Sequence, residues 1–296
     1  MKPRLEPVNR VAYLVRAACL AELNALKPGN VSVYSSGHGM DVDDFTRSAE
    51  CTANELAAPG LTVGERILKS VEATRSAVGC NTNLGIVLLC APLAHASMAR
   101  APGQTLRQSL ASTLNGLDEQ DTALTFRAIR LAGPGGLGKS ERHDVMRPAA
   151  APLKAVMREA EDRDRIAYQY SHEFADIFEH GLGVLERGLE RGPTAAWAIT
   201  GLYLSFLARF PDSHIQRKLG DKTAREIQKS GDELLSFFDA ASRPEELAEQ
   251  LLTFDLRLKE RGINPGTSAD LTVATVLARD LEIECATNAA DYRTSA

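Results

Sequence analysis

The sequence predicts an all-α protein: one domain over residues 1–296, a multi-helix bundle with an active-site cleft at the helix ends. Three observations point there. Apolar residues recur at helical spacing over most of the chain, and few runs alternate as strands do. The breaks are short Gly/Pro clusters such as Pro59-Gly60 and Gly192-Pro193 rather than linkers. No repeat of solenoid period is present.

The first helix is read from Val8, Val11, Val15, Ala18, Cys19, Leu23 and Leu26, and Pro28-Gly29 ends it. A polar loop over 30–40 holds the only β-like run, 31–34. Asp41-Val42-Asp43-Asp44 then has the form of a helix N-terminus leading to Phe45, Ala49 and Leu56. Helical patterns continue over 62–78, 82–99, 104–114, 119–132, 144–180, 193–209, 221–241, 243–260 and 267–284.

Composition narrows the function classes. Hydrophobic residues make up 44% and charged residues 25%, values of an ordinary globular chain. A formal charge of -5 with no Lys/Arg-rich run argues against nucleic-acid or membrane partners and for small molecules, and leaves room for a homo-oligomer. The longest apolar stretch, 86–98, contains Pro92 and His95 and falls short of the roughly 20 residues of a membrane span. The N-terminus has no signal-peptide pattern, so a cytoplasmic protein is expected. The 5 cysteines form no CxxC pair and read as buried thiols.

Polar residues gather where helices begin or end. Gly133-Pro134-Gly135-Gly136-Leu137-Gly138-Lys139-Ser140 satisfies the P-loop expression, but a P-loop needs a buried strand before it and a long helix after it. Here Leu124, Phe126, Ala128, Ile129 and Leu131 form a helical pattern upstream, and Pro148 interrupts the downstream segment. Gly135, Gly136, Gly138 and Lys139 remain candidates for phosphate contact, with a plain inter-helix turn as the alternative. Lys27, Gly29 and Asn30, then His38 and Asp41, bring a cation, an imidazole and a carboxylate near two helix ends, although Asp41 with Asp44 also fits simple capping. Asn81, Thr82 and Asn83 open the most apolar helix, as caps or as hydrogen-bonding groups for a nucleotide. Thr267 and Asp270 form a T-x-x-D capping pattern around Ser268. Alternatively Asp270 is a hard oxygen donor for Mg²⁺ or a general base, and Asp212 with His214 adds a fourth polar cluster.

Taken in order, these segments resemble the triphosphoribosyl-dephospho-CoA synthase family. The resemblance rests on K-P-G at Lys27 to Gly29, a G-x-x-M-D-like stretch at Gly37 to Asp41, and Phe45 with Ser48. It continues through Gly64-Glu65, Ala73-Thr74, N-T-x-x-G at Asn81 to Gly85, the glycine loop over 135–138, Asp212, and N-P-G-x-S-A-D-L at Asn264 to Leu271. It covers about residues 10–285. Two segments depart from the citrate-lyase-associated pattern. Asn83-Leu84 stands where that pattern has His-Lys, and Asp212-Ser213-His214 is followed by Arg217-Lys218-Leu219-Gly220 where it has D-x-N and R-G-G.

The resemblance implies a transferase that uses ATP as triphosphoribosyl donor. An acceptor hydroxyl, that of dephospho-CoA or of a related precursor, attacks the ribose anomeric carbon and adenine leaves. On this reading Asp41, Asp212 and Asp270 are candidate Mg²⁺ ligands, and Asp41 or Asp270 is the candidate base. Lys27 and the glycine loop would hold phosphates, and His38 or His214 would protonate adenine. Loss of the His-Lys pair at 83–84 points to a less anionic acceptor, of pterin or phenolic type, as the alternative. Two rivals stand outside the family: a phosphotransferase built on the loop over 133–140, and a non-catalytic nucleotide-binding protein.

Overall fold

The computed structural model describes residues 7–136 and 142–294, with side chains over 10–136 and 142–284. It is 73% helical. Among the described residues the run over 31–34 makes no strand, only isolated bridges from Ser32 to Ser35 and from Gly37 to Met40. None of the described helices is long and apolar enough to cross a membrane.

Helices α1 (Pro7–Leu23), α2 (Val42–Ala57), α3 (Val63–Val78) and α6 (Glu119–Ala132) pack in a row, each on the next. α4 (Leu84–Ala99) runs behind them, against α1, α2, α3, α5 (Leu106–Asn115) and α14 (Gly266–Thr294). That position explains why α4 is apolar all round: every residue from Ile86 to Ala94 is buried. α7 (Leu153–Ala160) and α8 (Arg165–Ser171) close one end. α9 (Leu182–Arg191), α10 (Ala195–Arg209), α11 (Ser213–Leu219), α12 (Asp221–Ala240) and α13 (Ala248–Glu260) build the other side. A large core around α4 and a smaller one around α12 and α13 share α10 and α14, which joins them into one body.

Local chemistry sets the helix starts. Asp41 with Asp44, Thr62 with Glu65, Thr105 with Gln108 and Asp118 with Asp121 are reciprocal capping boxes, each satisfying two backbone donors. Gly79 and Gly133 end α3 and α6 in the left-handed conformation. Inside α4, Pro92 has no N–H to give the carbonyl of Leu88 four residues back; the hydroxyl of Tyr170 on α8 donates to that carbonyl instead, at 2.6 Å.

The continuous helix expected over 144–180 is broken. Asp164 caps α8 by accepting from the amides of Ile166 and Ala167, Glu173 and Phe174 take positive φ, and a π-helical turn (Asp176–Gly181) comes next. Apolar periodicity carries across these breaks because α7 and α8 face the same core, so spacing alone does not reveal them. Neither α9 nor α11 is among the expected helices; α11, with 7 residues, is too short for a periodic signal.

Two loops widely separated in sequence lie back to back. Gly29 has φ 84°, and a Cβ there would meet Pro265 Cδ at 2.7 Å and Leu258 Cδ1 at 2.8 Å. Gly39 also has positive φ, 74°, but open space around it. Gly29→Ala is therefore expected to cost about 2–4 kcal/mol in urea unfolding, from backbone strain plus overpacking, and Gly39→Ala about 1 kcal/mol from strain alone.

Candidate active site

The first turns of α4 and α14 converge with α11, the end of α6 and the loop before α2 around a cavity of about 990 Å³, lined among others by Glu22, Asn81, Gly136, Arg217 and Asp270. The volume suits a nucleotide-sized ligand.

Asp270 is the exceptional group. Its carboxylate has neither a hydrogen-bond nor an ion-pair partner among the described residues, yet it lines the cavity. Burial, with the neighbouring charges of Asp212 and Glu22, pushes it well above the usual carboxylate range, and Arg217 only partly opposes this. The T-x-x-D capping alternative does not hold: α14 begins at Gly266, and the Thr267 hydroxyl bonds Ser213 Oγ at 3.0 Å and receives the His214 amide at 3.2 Å. Gly85 makes this arrangement possible, because any Cβ there would overlap Oδ2 of Asp270.

Asp212 contrasts with it. Oδ1 accepts from the amides of His214 (2.9 Å) and Ile215 (3.2 Å), and Oδ2 from the amide (2.8 Å) and hydroxyl (2.9 Å) of Ser268. Four donors occupy the carboxylate's four acceptor positions, so Asp212 and Ser268 tie α11 to α14 and neither faces the cavity. The metal role of Asp212 and the substrate role of Ser268 are thereby corrected.

Other expected residues divide the same way. Lys27 is fully buried, and its three protons go to Glu22 Oε1, Asn30 Oδ1 (3.0 Å) and Val31 O (2.8 Å), which leaves none for phosphate. Gly29 gives its amide to Asp255 Oδ1 at 2.8 Å. Asn83 is turned inward, bonding Thr52 and Thr74 in the seam between α2, α3 and α4. Asp41 is an exposed cap outside the cavity lining, so its catalytic and metal roles give way to the capping alternative.

Asn30, His38, Asn81, Thr82, Gly135, Gly136 and His214 do join Asp270 on the cavity. His38 holds positive φ, 59°, with Nε2 donating to Gly29 O at 2.8 Å. The Asn81 side chain accepts from the Leu84 amide, and Thr82 bonds Ser48 at 2.6 Å. Gly136 packs against the Arg217 carbonyl, where a Cβ would not fit, and Gly135 O accepts from Arg217 Nε at 3.1 Å. Gly138 and Lys139 lie outside the described residues. Burial and the cations Lys218 and Arg217 lower the pKa of His214 to about 3, so it is neutral at pH 7 and unsuited to protonate adenine. Glu22 and Asp164 are not among the site groups expected from the sequence, and Arg217 and Lys218 enter only as a departure from the family pattern, with no role given. Glu22 carried a signal, a carboxylate on the apolar stripe between Ala18 and Leu26; Arg217 and Lys218 sit on the helix too short to read.

Residues 8–287 match the model of the ATP:dephospho-CoA triphosphoribosyl transferase family. The chain belongs to that family. It is accordingly a transferase, moving the triphosphoribosyl group of ATP to dephospho-CoA. A crystal structure from Archaeoglobus fulgidus, described as a triphosphoribosyl-dephospho-CoA synthase, has the same fold: TM-score 0.64 and 24% identity over 81% of this chain and 98% of that one. No curated protein matches the chain significantly. The family match spans both the groups that line the cavity and those that only hold its walls.

The unpartnered carboxylate has a thermodynamic signature. A carboxyl whose folded pKa exceeds its unfolded value of 3.8 binds its proton more tightly when folded, so ionising it costs stability. The cost is absent below about pH 4 and grows as pH rises toward the folded pKa. Asp270→Asn is therefore expected to raise the thermal midpoint at pH 8, by roughly 2–4 °C per kcal/mol recovered, and to lose that gain at pH 4, measured by calorimetry without ligand.

Proposed function

We propose that ATP occupies the cavity with its ribose C1′ beside Asp270, and that Asp270 takes the proton of the acceptor hydroxyl as the C1′–N bond to adenine breaks. One observation carries this reading: Asp270 is a carboxylate of raised pKa without a partner, at the meeting point of two helix N-termini. A carboxylate whose pKa is raised by burial and neighbouring negative charge accepts a proton more readily than an ordinary aspartate.

Arg217, Lys218 and the backbone of Gly135 and Gly136 are the groups proposed to meet the triphosphate, and Asn81 and Thr82 to bond the nucleoside. His38 bonds Gly29 through Nε2, which leaves Nδ1 to serve the departing base. Among the described residues no three His, Cys, Asp or Glu side chains form a metal cage. Mg²⁺ arriving on a triphosphate needs only one or two protein carboxylates, and Asp270, assigned to proton transfer, is not counted among them. The ion would supply charge neutralisation of the phosphates.

Dephospho-CoA as acceptor is supported by the family match. The argument for a less anionic acceptor loses half its basis, because Asn83 faces inward and only Leu84 reaches the cavity. Lys218 and Arg217 supply cations there in spite of the apolar Leu84. The phosphotransferase rival lacks its context, since the glycine loop comes after a helix, α6, and not a strand.

Incubation with Mg·ATP and dephospho-CoA, followed by chromatography, is expected to release free adenine in step with acceptor conversion. Asp270→Asn should lower that rate by about 10²–10⁴ while leaving the fold intact. Nucleotide diphosphate in place of adenine would favour the phosphotransferase, tight ATP binding without turnover would favour a binding protein, and full activity in Asp270→Asn would remove its catalytic role.

A further inference from the structure

Glu22 lies on α1, which packs against both α4 and α14. It is only 3% exposed, and a lone carboxylate there would be costly. One of its oxygens accepts from Lys27. The other has no partner among the described residues, yet it is not sealed in protein, because Glu22 is part of the cavity wall. A salt bridge that served only to tether the loop over 27–31 would need no oxygen turned to the cavity.

The surroundings of Lys27 suit an ion pair with Glu22. Three oxygens surround Lys27 Nζ, Glu22 Oε1, Asn30 Oδ1 and Val31 O, the number one ammonium can serve, while burial works against both charges, raising the Glu22 carboxyl and lowering Lys27, and their mutual attraction opposes it. In that pair the counter-charge is Glu22 as a carboxylate. The same cation fixes the carboxylate's rotamer, because Lys27 is itself held by the loop backbone.

We infer that Glu22 is a second catalytic carboxylate of the reaction centre, fixed by Lys27 and turned toward the ribose carbon that becomes positive as adenine leaves. This rests on the reaction proposed above. As the C1′–N bond breaks, its electron pair goes to adenine, the acceptor oxygen bonds C1′, and the acceptor proton goes to Asp270. Glu22 forms no bond; it offers fixed negative charge to the oxocarbenium-like transition state, as paired carboxylates do in glycoside hydrolysis. The two carboxylates thereby take different tasks through different surroundings: Glu22 has a cation bonded to it, and Asp270 has none.

Glu22→Gln tests this, because the amide oxygen still accepts from Lys27. The kcat for adenine release is expected to fall by roughly 10²-fold or more, as for loss of one preorganised electrostatic group, with KM for ATP within about 3-fold. Glu22→Asp retains the charge but withdraws it by one methylene. Its kcat should fall by about 10-fold. A role confined to anchoring the loop would lower stability or ATP affinity and leave kcat in place, and that result overturns the proposal. If Glu22→Gln does not fold, full kcat in Glu22→Asp overturns it equally. Wild-type protein that releases no adenine refutes the reaction itself, before any variant is compared.

Discussion

The site depends on how Asp212 is held. A carboxylate buried without a cation is stabilised by donors to its oxygens, and here two backbone amides of α11 and both the amide and the hydroxyl of Ser268 meet them. Those bonds fix α11 on the first turn of α14, so the short helix with Arg217 and Lys218 lies beside the one with Asp270. They also keep a negative charge next to Asp270, whose own carboxylate finds no donors. Two aspartates in one corner therefore differ in kind. One is a joint, and the other is a reactive group held in an environment that resists its charge.

Helix positions were largely legible in the sequence because apolar periodicity and capping pairs are local. Thr62 with Glu65 and Asp118 with Asp121 declare helix starts within four residues. The breaks at Asp164 and Phe174 were not legible, since the apolar face continues through them. The site was visible as a set of segments but not as a set of side chains. Ser268 and Asp270, two residues apart on one helix, point to different surroundings, and so do Thr82 and Asn83. Motif membership does not tell which residue of a neighbouring pair faces the ligand; only the packed helices decide that.

The same division gives a physical reason for motif residues with no chemistry of their own. Gly64 lets α3 approach α6 closely enough for its amide to reach Asp121 at 2.7 Å. Thr74 belongs to the buried bonds around Asn83, and Asn30 reaches across to Asn264 at 2.8 Å, joining the K-P-G and N-P-G loops. Tyr203 pins the first of those loops by donating to Pro28 O at 2.6 Å. A polar contact between helix ends fixes relative position more sharply than an apolar one, because hydrogen bonds are directional and apolar burial is not.

Pro92 and Tyr170 bear on how such a cavity can open. A proline inside a helix interrupts the hydrogen-bond ladder and makes a natural flexing point, and in α4 it lies two turns beyond Gly85. The Tyr170 hydroxyl closes that gap from α8, whose Ile166 also reaches the same first turn of α4. The joint is latched, and α4 and α8 form one stiff jamb. On the opposite side of the doorway Gly135 and Gly136 rest on α11, the first by giving its carbonyl to Arg217 Nε and the second by close packing on the Arg217 carbonyl, so the two walls of the cavity are held by bonds of different kinds.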